Sequence, residues 1–113
     1  MFGAFVAGEL AGAVGLLRDA RRKRRHAGEI VAMYVRPEFV RRGVGRRLLA
    51  HALAVARAAG IVQLTLTVTQ GNDAARRLYA ATGFVPFGVE PRAIAVDGTY
   101  HAKEHMVLLF PDG

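Results

Sequence analysis

The run Met33-Tyr34-Val35-Arg36-Pro37-Glu38-Phe39-Val40-Arg41-Arg42-Gly43-Val44-Gly45-Arg46-Arg47-Leu48-Leu49 joins an apolar strand to an amphipathic helix through a basic turn that carries glycines. Backbone amides at such a turn point outward with no Cβ in the way, and the positive end of the helix dipole lies behind them. The turn therefore suits an anion, above all a ligand that carries phosphates. The same residues also read as an ordinary strand, turn and core helix with solvated arginines, because glycine at a helix start needs no ligand to explain it. Two other phosphate motifs fit poorly. A dinucleotide fingerprint would need a third glycine where Leu48 stands, and no Lys followed by Ser or Thr closes the turn as a P-loop requires.

A second segment, Asn72-Asp73-Ala74-Ala75-Arg76-Arg77-Leu78-Tyr79-Ala80-Ala81-Thr82-Gly83-Phe84, follows the strand expected over Ile61 to Thr69. Its form is Asn, two spacers, Ala, two spacers, Leu-Tyr, three spacers, Gly-Phe. With the basic glycine turn in this order and at this separation, the chain resembles the GCN5-related N-acetyltransferase superfamily, whose members move an acetyl group from acetyl-coenzyme A to an amine. The resemblance begins with a hairpin near Phe2 and runs to a last strand ending near Phe110. It implies an α/β (α+β) fold, with a mixed, mostly antiparallel central sheet and helices on both faces, of the acyl-CoA N-acyltransferase kind. Family members usually begin with a strand and two helices that wall one side of the acceptor site. Here Met1 falls where the following strand should start, so the fold is expected to lack that first strand and both helices.

The resemblance also implies roles. Backbone groups of Met33, Tyr34 and Val35 would pair with the pantetheine arm like an added strand. The amides from Arg41 through Gly43, Val44 and Gly45 to Arg46 would hold the pyrophosphate, with Arg42, Arg46 or Arg47 available to the ribose phosphate. Val40 stands where the six-residue turn usually opens with Gln or Arg. Because the turn acts through its amides, this departure is expected to weaken coenzyme binding rather than abolish it. Asn72 would bond the coenzyme arm, cap the next helix, or do both.

Acetyl transfer needs a neutral amine, stabilisation of a developing oxyanion and a proton for the departing thiolate. Tyr79, matching the Tyr of the family's Leu-Tyr pair, is the candidate donor, since a phenol of pKa about 10 stays protonated at neutral pH. It also reads as a packing aromatic. Glu29 is the candidate general base, acting directly or through water, although a carboxylate at a strand start is more often simply exposed. His26 and His51 are weaker candidates. His101 and His105 flank Glu104, but their spacing would make a metal site only on a helix, so no metal is expected.

At 113 residues and 52% hydrophobic composition, the chain suits one compact domain. A sheet lacking its first strand and covering helices would expose an edge and apolar surface, so a homodimer covering both is expected. There is no cysteine, which excludes disulfides, thiol catalysis and cysteine metal sites. No apolar run approaches a membrane span, and Met1 to Leu17 has no basic leader, so a cytoplasmic protein without membrane contact is expected. The net charge is +7, and the densest basic run is Arg18 through Arg25. That run reads most simply as a solvated loop, and its lack of aromatics argues against a single-strand nucleic-acid platform. Two alternatives to the enzyme remain, a noncatalytic coenzyme A-binding remnant and a basic nucleic-acid-binding module.

The elements that must position these residues follow from pattern. Phe2 to Ala7 and Ala11 to Leu17 read as strands joined around Gly8-Glu9-Leu10. Glu29 to Arg36 reads as a third strand ended by Pro37, giving an antiparallel meander. From Gly43 to Ala59, the residues Val44, Leu48, Leu49, Ala52, Val55, Ala56 and Ala59 recur at helical spacing, and Gly60 stops the helix. Ile61 to Thr69 alternates with period two, and a right-handed crossover brings it beside a parallel neighbour. Asn72 caps a helix over Asp73 to Thr82 that Gly83 ends. Phe84 to Val89 and His105 to Phe110 read as the last strands, connected through Asp97-Gly98.

Overall fold

A computed structural model of the chain describes residues 2–6, 8–39 and 43–111. Six strands and two α-helices follow one another: β1 (Phe2–Val6), β2 (Glu9–Arg18), β3 (Ala27–Val35), α1 (Val44–Ala58), β4 (Gln63–Thr69), α2 (Asp73–Thr82), β5 (Val85–Val96) and β6 (Thr99–Leu109). The strands form one sheet in the order β1-β2-β3-β4-β6-β5. The described residues fall into two compact units, one of those up to residue 64 together with 110 and 111, and one of residues 65–109.

In the first unit, β1, β2 and β3 make the expected antiparallel meander. The first turn is tighter than the sequence suggests. Val6 pairs with Glu9, so Glu9 and Leu10 belong to β2 and only Gly8, at φ 83°, needs a glycine. The apolar stripe of α1 packs against all three strands, burying Val44, Leu48, Leu49, Ala52 and Ala56. Ala59, counted in the stripe from its spacing, is exposed, because the helix has ended one residue earlier. The sheet meets α1 at Gly12, where an added Cβ would lie 2.6 Å from the carbonyl oxygen of Tyr34 and 3.1 Å from Leu48.

Both helices end in the same way. Gly60 and Gly83 adopt left-handed φ of 81° and 115°. The amides of Ile61 and Phe84 reach back to the carbonyls of Ala56 and Tyr79, while those of Gly60 and Gly83 reach Arg57 and Ala80. These paired bonds are the Schellman arrangement, and in each case the residue after glycine is apolar and buried.

In the second unit, Leu66, Val68, Tyr79, Phe84 and Met106 form the core. The strands expected at Phe84 to Val89 and His105 to Phe110 prove to be the far ends of a long hairpin. Asp97 and Gly98, at φ 48° and 78°, make a two-residue turn of the primed kind, so pairing runs from Val96 with Thr99 to Val85 with Val107. Pro86, Gly88 and Pro91 look like breakers in sequence. They are accommodated because β5 is an edge strand whose register shifts between Pro86 and Gly88 and again between Glu90 and Ile94.

Candidate functional site

Of the glycine turn, Gly43, Val44 and Gly45 are described. Gly43 precedes α1 at φ 74°, ψ 13°, a left-handed conformation that a Cβ would strain. Its carbonyl accepts the amide of Arg47 at 3.1 Å, and no side chain caps the helix. No acid stands in the first turn, while Arg46 and Arg47 are exposed there. Cations at a helix N-terminus oppose the dipole by roughly 0.3–1 kcal/mol each, and an anion on the turn would reverse that sign. A Cβ on Gly43 would meet nothing within 4 Å. Among the described residues, packing therefore does not account for the glycine. Val44 and Gly45 are buried. Val40, Arg41 and Arg42, assigned to the turn from sequence, lie outside the described residues.

The strand entering the turn carries a feature that its sequence does not announce. Ala32 sits at φ 53°. The pairing of β3 with β2 slips by one residue there, between Ala13 opposite Tyr34 and Gly15 opposite Val31. This bulge re-aims Met33, Tyr34 and Val35, the segment expected to offer its backbone to the pantetheine arm. Tyr34 is exposed, and Met33 and Val35 are half-buried. Beyond the strand, Arg36 is engaged structurally. Its guanidinium bonds Glu38 at 2.6 Å, lies 4.0 Å from Glu9 and stacks 5.7 Å from the Phe39 ring.

Asn72 caps α2 as read, its Oδ1 accepting the amide of Ala75 at 3.3 Å. Its side-chain NH2 makes no hydrogen bond among the described residues, so a ligand can still use it. Tyr79 is the one buried residue of α2. The Schellman end seats it: the amide of Phe84 donates to the Tyr79 carbonyl at 3.0 Å, and the two rings meet edge to face at 6.2 Å. The Leu-Tyr and Gly-Phe pairs of the motif are thus two halves of one device. Burial raises the Tyr79 pKa above its ordinary value, which keeps the phenol protonated at neutral pH. The hydroxyl has no hydrogen-bond partner among the described residues, yet no unsatisfied buried polar atom is found there, so it keeps contact with solvent.

Around the N-terminus of α2 the structure adds residues that sequence reasoning missed. A cavity of about 290 Å³ is lined by Thr69, Gln70, Asn72, Asp73, Arg76 and Glu104, among others. Arg76 bonds Glu104 across it at 2.7 Å. Only the topology reveals this pair, since the two residues are 28 apart in sequence.

Glu29 is exposed on β3 opposite Leu17. It lies four residues before Met33, roughly 13 Å along an extended strand, with the Ala32 bulge between them. His51 is exposed and meets the Phe2 ring edge-on at 4.8 Å. His101 and His105 both lie on β6. Among the described residues no group of three metal-ligating side chains is found, and no helix is long and apolar enough to cross a membrane.

The strand order, the glycine-opened α1 and the Asn-capped α2 define an acyltransferase fold. Residues 1–84 match the model of the Acetyltransferase (GNAT) family, and the chain belongs to that family. It is 38% identical over 96 residues to the N-alpha-acetyltransferase RimI of Mycobacterium tuberculosis, covering 85% of this chain and 58% of that protein. It is 46% identical over 50 residues to the ribosomal protein bS18-alanine N-acetyltransferase of Salmonella typhimurium, covering 44% of this chain and 34% of that one. Among solved structures, a GNAT-family acetyltransferase from Streptococcus pneumoniae superposes with a TM-score of 0.90 at 34% identity, over 96% of this chain and 65% of its own. The yncA protein of Salmonella typhimurium, solved with its cofactor acetyl-CoA, shares the fold, with a TM-score of 0.88 at 22% identity over 98% of this chain and 64% of its own. The chain thus spans less than two-thirds of the length of each of these proteins.

Proposed function

We propose that this chain is an acetyl-coenzyme A-dependent N-acetyltransferase acting as a single domain, with a peptide N-terminal α-amine as its acceptor. The observation that carries the reading is the left-handed Gly43 that opens α1, whose first helical turn holds cations and no acid. The amides of Arg41 to Arg46 would hold the pyrophosphate, Arg42, Arg46 or Arg47 would meet the ribose phosphate, and Met33 to Val35 with Asn72 would hold the pantetheine arm. The neutral amine nitrogen would attack the thioester carbonyl and the carbon–sulfur bond would break; the departing thiolate would take the Tyr79 proton, the nitrogen would release its extra proton to water, and water would return a proton to the Tyr79 phenolate.

The choice of amine rests on pKa. At pH 8 about half of an α-amine of pKa near 8 is neutral, against about 0.4% of a lysine amine of pKa 10.4. An α-amine therefore needs little help from a base, and Glu29 would act directly or through water. The names of the N-alpha and alanine N-acetyltransferase relatives support the same class. A homodimer is part of this reading, supported by the exposed apolar side chains Val85 and Phe87 on edge strand β5. Light scattering of the purified chain would test it.

The deciding experiment is calorimetric titration with acetyl-coenzyme A beside Gly45→Glu, followed by thiol release with peptides bearing free α-amines. Saturable binding lost in the variant, with turnover on peptides, upholds the reading. Binding without turnover leaves a coenzyme-binding remnant, and no binding to the folded chain removes the enzyme.

A further inference from the structure

Residues 18–25 carry six cations and one acid, five of the chain's net seven positive charges. Like charges at this density should spread a loop apart, yet the run between β2 and β3 is folded. Asp19 accepts the amide of Arg21 at 3.0 Å, its guanidinium at 3.1 and 2.9 Å, and the Nε of Arg24 at 3.3 Å. Its carboxyl is held well below the usual carboxylate range, chiefly by the Arg21 guanidinium. Arg18 closes the loop by donating Nε–H to the Arg25 carbonyl at 2.7 Å, and residues 22–24 wind into a 3-10 turn.

One acid thus occupies two arginines and fixes the backbone that presents the rest. Arg22, Lys23 and Arg25 are exposed, and their side chains have no hydrogen-bonding or ion-pair partner among the described residues. Arg18, Arg22 and Arg25 border an open hollow of about 500 Å³. No aromatic lies within the run to stack on a base. Guanidinium forks match phosphate oxygens two at a time. A duplex sets one phosphate charge per about 1.7 Å of axis, whereas carboxylates on an extended peptide can follow one another at best every ~3.3 Å and on alternating sides. Three unpaired cations crowded on one short turn match the denser anion. The loop precedes β3 and the glycine turn follows it, so the strand's nine residues hold the two roughly 30 Å apart.

We propose that the loop of residues 18–25 is a docking surface for the phosphate backbone of a nucleic-acid duplex, separate from the coenzyme turn and indifferent to base sequence. Fluorescence anisotropy of the full chain with a labelled duplex of about 20 base pairs, titrated with KCl, tests it. Arg22→Gln/Lys23→Gln/Arg25→Gln should bind more than tenfold more weakly at 0.1 M salt, and its plot of log K against log salt should be shallower by about 2.7, or 0.9 per lost contact. Arg77→Gln/Arg92→Gln/Lys103→Gln, which removes the same net charge elsewhere, should change binding less than threefold, and saturating coenzyme A should not displace the duplex. Lys23→Glu alone, at an exposed position without partners, should move the slope in the same direction. Equal losses in the two triple variants, displacement by coenzyme A, or tighter binding of a poly-glutamate peptide than of the duplex would each overturn the proposal.

Discussion

Gly12 offers the sharpest check on how this structure is held together. An alanine there puts its Cβ 2.6 Å from the Tyr34 carbonyl oxygen, 3.1 Å from Leu48 and 3.2 Å from Val44. Carbon approaches a carbonyl oxygen to about 3.3 Å, so something must move by roughly 0.7 Å. The obstacle is backbone, which cannot swing aside as a side chain can. Overpacking of this kind costs about 1–3 kcal/mol. At about 4 °C per kcal/mol for a domain of this size, Gly12→Ala should lower the melting temperature by roughly 4–12 °C. Gly88→Ala makes the same chemical change where the new Cβ meets nothing within 4 Å. It should leave the melting temperature unchanged or raise it by a few degrees, because alanine restricts the unfolded chain. Since Tyr34 is one of the residues proposed to pair with the pantetheine arm, Gly12→Ala should also weaken coenzyme binding severalfold at a temperature where it remains folded. Thermal denaturation followed by circular dichroism, with calorimetry for binding, reads both effects. A Gly12→Ala melting within 1 °C of wild type, or an equal loss in Gly88→Ala, would refute the packing argument.

Tyr79→Phe keeps the ring contact with Phe84 and removes the proton donor. It should lower kcat about a hundredfold or more while leaving the acetyl-coenzyme A Kd within about twofold, as steady-state kinetics and calorimetry would show. The same substitution tests the raised pKa. Above pH 10 the unfolded chain releases the Tyr79 proton while the folded chain retains it, so stability contributed by this group is full below pH 10 and declines above it, by at most about 1.4 kcal/mol per pH unit. Urea denaturation between pH 9 and 11 should therefore fall less steeply in Tyr79→Phe than in wild type. Ala32→Gly should relieve the left-handed strain at φ 53° and stabilise the chain by about 1 kcal/mol, raising the melting temperature by a few degrees; a drop would place the strain elsewhere.

The elements that read most clearly in sequence are those bounded by their own capping chemistry. Asn72 and Gly83 delimit α2 to the residue, because an Asn N-cap and a left-handed glycine are local requirements that no tertiary contact needs to supply. Gly43 is legible for the same reason, since its left-handed conformation is also a local requirement. Ala32 carries no such mark. Alanine avoids positive φ, so the bulge it forms is imposed by the pairing of β2 with β3 and appears only once both strands are in register. Gly12 is ambiguous in sequence, where it reads as a weak strand residue, and its meaning depends on α1 packing over it. The reach of β5 and β6 was hidden because Pro86, Gly88 and Pro91 interrupt the alternating pattern, and only the Asp97-Gly98 turn hints at a longer hairpin. The Arg76–Glu104 pair at the cavity depends on pairing between distant segments, which periodicity does not report.

β5 is a twelve-residue edge strand that displays Val85, Phe87 and Val89, with Phe87 59% exposed. Such a strand would ordinarily template runaway sheet growth between molecules. Pro86 and Pro91 remove two of its amide donors, and its two register shifts break the straight ladder that an incoming strand would need. The exposed apolar side chains of β5 can therefore be covered by groups packed against them but not by a strand added alongside. Self-association through β5 should end at a closed pair instead of continuing into a fibre.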